Sequence, residues 1–142
     1  MIQKGKKEME KLFNTTSIGC GIAGGILSYF FGGWDMMLVA IVALAALDYL
    51  TGILKGIYTR ELSSEIGFRG LLRKIAIFIV IAVAVIIQRV VNDAAPLREV
   101  VIAFYICNEG LSLMENAAIF IPLPPRLKDV LLQLRDKSES EE

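Results

Sequence analysis

Residues 36–58 read MMLVAIVALAALDYLTGILKGIY: twelve uninterrupted apolar residues from Met36 to Leu47, then Asp48, then a mostly apolar run to Tyr58. A helix needs about 20 such residues to cross the hydrocarbon core of a bilayer, so this segment predicts a transmembrane span. Its carboxyl falls in the middle, where solvation is poorest. Ionisable groups at that depth are costly and mark functional positions or buried partners.

Working outward, the same length test predicts three more spans. Residues 71–91 contain thirteen unbroken apolar residues, Ile75 to Ile87, and span if Arg73, Lys74 and Arg89 extend to the headgroups. Residues 100–123 are long enough but carry Asn108, Glu109, Glu115 and Asn116, and end at Pro122, Pro124 and Pro125. Residues 13–31 are diluted by Asn14, Thr15, Thr16 and Ser17. Ser17, Gly21 and Gly25 form a small-residue stripe there that favours close helix approach. Gly32, Gly33, Trp34 and Asp35 read as a tight turn. A cleaved signal peptide is disfavoured, because Tyr29, Phe30, Phe31 and Trp34 crowd the place where a peptidase needs small side chains. The expectation is an all-α integral membrane protein with four transmembrane helices in one domain, residues 1–125.

Charge placement orients it. Thirteen of the 15 Lys and Arg fall before residue 12, between Lys55 and Lys74, or after Pro125, and only Arg89 and Arg98 lie elsewhere. With four spans this puts both termini in the cytoplasm by the positive-inside rule. Within the second basic segment, Ser63 or Ser64 can cap a helix whose Glu65 and Arg69 stand four apart. That piece is expected near the membrane surface, as a bent entry to the third span. Residues 126–142 predict a cytoplasmic amphipathic helix, with Leu127, Val130, Leu131 and Leu134 at helical spacing, then an acidic tail.

Composition narrows the function classes. The chain is 55% hydrophobic against roughly 45–50% for soluble domains, its 15 basic and 15 acidic residues balance, and it has no His. Nucleic-acid binding driven by bulk positive charge is excluded, as are catalytic triads and imidazole metal sites. Cys20 and Cys107 lie far apart in apolar stretches and suggest neither disulfide nor metal site. No enzyme activity and no cofactor is expected.

The candidate functional residues are therefore the polar groups within spans. On the fourth, Tyr105, Asn108, Glu109, Ser112, Glu115 and Asn116 fall within an arc of about 120°. Such an arc faces protein or water. One reading has these groups bonded to other helices of the same chain, to Thr51, Tyr49 or Gln88. The other has them line an aqueous lumen or a subunit interface. On the second span, Asp48, Gly52 and Gly56 share a face with Lys55, and Gly52 and Gly56 form a G-x-x-x-G pair suited to close helix contact.

Four ordered blocks carry a resemblance: DYLTGILKGI at 48–57, LSSEIGFRGLLRK at 62–74, NEGLSLMENAA at 108–118 and IPLPPRLK at 121–128. Together they resemble the toxin-secretion/phage-lysis holin family over Met36 to Leu134. The resemblance implies a protein of the bacterial cytoplasmic membrane that self-associates into a homo-oligomer among membrane lipids. It then opens a timed lesion, releasing an endolysin or a large protein toxin. The alternatives are a small ion or proton transporter using Asp48, Glu109 and Glu115, and an antiholin or membrane scaffold.

Overall fold

The computed structural model describes residues 2–127, 129–130 and 132–133, and among these the chain is all-helical, with no strand. Its helices are α1 (Ile2–Phe31), α2 (Met36–Thr59), α3 (Ser64–Val90) and α4 (Leu97–Ala117). Residues 125–127, 129–130 and 132–133 are also helical. That agrees with the start of the expected amphipathic helix; Leu131, Leu134 and the acidic tail lie outside the described residues.

Two helices, α2 and α3, are long and apolar enough to cross a membrane, yet only 22% of the most apolar stretch of each is buried. A soluble protein would hide such helices in its core. These present Leu47, Leu50, Leu54, Ile75, Ile79 and Val83 outward, which makes this a membrane protein.

Local chemistry sets the helix ends. Gly32 (φ 76°) and Gly33 (φ 113°) take the left-handed backbone that reverses the chain after α1. Asp35 then caps α2 by accepting from the Leu38 N–H at 2.9 Å. Arg60, at φ 59°, terminates α2. Ser63 caps α3 by accepting from the Ile66 N–H at 3.2 Å, and Glu65 pairs with Arg69 at 2.6 Å. From that cap α3 continues as one helix, so the piece expected as a separate surface helix with a bent entry is simply its first turns. The α1 helix also starts earlier than residue 13, because Lys, Glu, Met and Leu before it are good helix formers. By contrast α4 stops at Ala117, short of residue 123, since Pro122 has no N–H and disfavours helix at Ile121.

The α4 helix packs along α2 and against α3, whereas α2 and α3 touch each other little and α1 leans mainly on α3. At the centre are Leu38, Ile41, Ile77, Ile81 and Ile102, flanked by the edge-to-face pair Phe31 and Phe78. One end of this core is closed by Arg98. Its Nε donates to the Phe31 carbonyl at 2.6 Å and its Nη1 to Asp35 Oδ2 at 2.7 Å. A side chain at Gly32 would come within 2.8 Å of Arg98. The guanidinium holds the Asp35 carboxyl below its ordinary range, helped by the Leu38 N–H. Since α2 and α4 both begin at this corner, they run in the same direction.

Candidate functional site

Asp48 and Glu109 are each twelve residues from the first residue of their helices, so each lies about 18 Å from the shared corner. That equal depth lets one cation from the antiparallel α3 serve both. Lys74 Nζ donates to Asp48 Oδ2 at 2.5 Å and to Glu109 Oε2, and the three side chains are at most 10% exposed. Asn116 Nδ2 adds a bond to Asp48 Oδ1 at 3.0 Å.

Sequence reasoning missed Lys74, which was expected to extend to the headgroups. It turns inward because two carboxyls at mid-helix would otherwise be buried without a counter-charge, a far larger cost than burying one ammonium. The signal was present: two spans with central carboxyls require a cation, and Lys74 directly precedes the unbroken apolar run of its helix.

The expected polar arc of α4 divides three ways. Glu109 and Asn116 join the ion cluster. Tyr105, Asn108 and Ser112 line a groove of about 310 Å³ between α3 and α4, together with Lys74 and Glu109. None of these three has a side-chain hydrogen bond among the described residues. Glu115 is exposed and lies apart, in a cleft bordered by Leu111, Met114 and the Pro124–Pro125 turn. The intramolecular partners expected for the arc are engaged elsewhere. Thr51 donates to the Leu47 carbonyl of its own helix, Gln88 accepts from the Arg98 N–H, and the Tyr49 ring lies beside Gly70.

The G-x-x-x-G face of α2 is occupied within the chain. A methyl at Gly52 would sit 3.6 Å from Asn116 Nδ2, and one at Gly56 would sit 3.1 Å from Leu62. Lys55, on the same face, is half-buried and makes no ion pair among the described residues. A second pocket, about 130 Å³, lies beneath the α2–α3 turn on the other side of Lys74. Among the described residues no trio of His, Cys, Asp or Glu is placed to hold a metal ion.

Chemically, the arrangement gives two buried carboxyls one shared ammonium within the chain and leaves a groove lined by polar side chains beside it. Comparison with known proteins bears on what such a chain does. The bacteriophage holin family profile matches residues 25–136. An uncharacterized 14.9 kDa protein from the nagH 3′ region of Clostridium perfringens is 40% identical over 131 residues, 91% of this chain and 99% of the relative. Uncharacterized proteins of Listeria innocua (37% over 120 residues; 84% and 86% coverage) and Bacillus subtilis (34% over 112; 78% and 79%) are also similar. No solved structure matches.

Proposed function

The chain belongs to the bacteriophage holin family, which is not a family of enzymes, and we propose that it works as a holin of the bacterial cytoplasmic membrane. In this reading it accumulates there, forms a homo-oligomer, and opens a timed lesion through which an endolysin or a large protein toxin leaves. All four helices span, with both termini in the cytoplasm. The packing of α4 between α2 and α3 supports its crossing with them despite its carboxyls, and the lopsided Lys and Arg distribution supports the orientation.

The observation that carries the mechanism is the Asp48–Lys74–Glu109 cluster. Charges that would be intolerable in lipid are paired inside one subunit, so a monomer can accumulate harmlessly. Tyr105, Asn108 and Ser112, unbonded in the α3–α4 groove, become lumen wall when subunits assemble. Expression in a bacterium, following membrane potential and protein release together, tests this. A holin produces abrupt depolarisation with release of a cytoplasmic enzyme. Ion flux without release sinks the reading in favour of a small-ion conductor, and oligomers without either favour an antiholin.

A further inference from the structure

Lys74 stands between two cavities. On one side is the groove at Asn108 and Ser112, on the other the pocket beneath the α2–α3 turn, and Lys74 and Arg73 border both. The turn-side pocket reaches Asp48 and Asn116 at its inner end. Its walls include Gly67 and Gly70, whose missing side chains leave the space open. A methyl at Gly70 would already touch the Tyr49 ring at 3.5 Å. At about 130 Å³ it exceeds the roughly 10–15 Å³ that a single water requires. Toward the other end of the bundle the way is shut by Leu38, Ile41, Ile77, Ile81 and Ile102, all at most 5% exposed.

We propose that this pocket is a vestibule for small monovalent cations leading to the Asp48–Glu109 carboxyl pair, and that the Lys74 ammonium is the tethered cation occupying that pair. One –NH₃⁺ group bonds carboxyl oxygens from two helices at once, so the pair is spaced for an ion of that size and charge. Two carboxylates repel an anion, and with only one oxygen of each directed at the ammonium they make a poor cage for a divalent ion. Arg73, exposed at the rim, keeps cation occupancy low while Lys74 is in place. When Lys74 withdraws, a solvent cation entering from the turn can take over the carboxyls and let the two cavities join. This rests on the holin reading for its biological sense, since the turn is then cytoplasmic, but not for its test.

The test uses purified full-length protein in detergent, with Lys74→Ala carrying the vacated site. Losing the ammonium should lower Tm by roughly 10 °C. Methylammonium should restore part of that loss, while tetramethylammonium at the same ionic strength should not, having no N–H to donate to the two carboxyls. Wild type should respond to neither. Adding Gly70→Leu, which fills the vestibule, should abolish the rescue. Equal effects of the two cations, or rescue that survives Gly70→Leu, would overturn the proposal. If Lys74→Ala does not fold, Gly70→Cys in a Lys74→Gln/Cys20→Ala/Cys107→Ala background, where the ammonium is gone but hydrogen bonding is kept, decides. A small cationic thiosulfonate should label it faster than an anionic one of equal size, and equal or reversed rates overturn the proposal. Because neither readout involves lysis, rescue without lesion formation would fault the holin reading and leave the vestibule standing.

Discussion

Two buried cations, each facing two carboxyls, hold this bundle at different levels and by different chemistry. At the corner Arg98 bonds Asp35 and Glu99, both nearly half exposed, and also the backbone carbonyls of Phe31 and Gly33. At mid-helix Lys74 has, among the described residues, only Asp48 and Glu109, both buried, and no backbone partner. A planar guanidinium with five donors fixes a turn in one geometry, whereas an ammonium is a compact point charge on a flexible stem. The corner therefore fixes one geometry through many directed bonds, and the mid-helix cluster rests on the pairing of one point charge with two carboxyls.

The contrast is sharpest where one cation is removed. Lys74→Met should cost about 3–5 kcal/mol, because it strands two buried carboxyls. Adding Asp48→Asn and Glu109→Gln should recover most of that. Thermal unfolding in detergent measures it, and if the single variant is as stable as the triple one, the cluster does not hold the helices. Under the proposed function the single variant also advances lysis at matched membrane abundance.

At the corner the expected effect is smaller and of another kind. Arg98→Lys keeps the charge but loses the fork, at about 1.5–3 kcal/mol for charge-assisted bonds, and lysis timing should follow stability alone. An Arg98→Lys protein that lyses early while remaining stable would erase the distinction between the two sites.

Gly52→Leu probes the helix face between them. Since that face already meets Asn116, overpacking of about 1–3 kcal/mol is expected within the subunit. Crosslinking between subunits that weakens without any loss of monomer stability would return Gly52 to a subunit interface.

The mildest test is acidification. The folded-state pKa of Asp35 is depressed, so its contribution is complete above the ordinary aspartate range and is lost as pH falls below it. The side chain is 47% exposed, so solvent and salt screening keep the effect small. Unfolding followed against pH, with Asp35→Asn as comparison, should show a shallow acid limb that the variant lacks.

The difference between the two sites also explains how much could be read from the chain. Apolar run lengths give α2 almost to the residue, and Gly32–Gly33 and Ser63 mark their turns, because these are local effects of hydropathy and backbone conformation. Asp48 and Glu109 stand out for the same reason. Lys74 does not, since at the edge of an apolar run solvation by headgroups and pairing with a distant carboxyl look alike. Only the packing of α3 decides between them. The arc on α4 reads as one polar stripe, but a helical wheel cannot say that two neighbours divide it. Cys107 falls outside that arc on the wheel, and it too is buried. Glu115, within the arc by angle, lies past the point where α3 and α4 enclose the groove.

The thirty residues of α1 rise about 45 Å, while a bilayer core is about 30 Å thick. Arg98 grips the Phe31 carbonyl, and Arg89 holds Tyr29 through its carbonyl and its ring. From Gly5 to Ala23 the helix is exposed throughout. Such a rod, clamped at one end, is a lever. For each 10° of tilt at the clamp, its free end sweeps about 8 Å sideways by the same helical rise, so the amino-terminal lysines map small rearrangements at the corner onto large displacements at the opposite end.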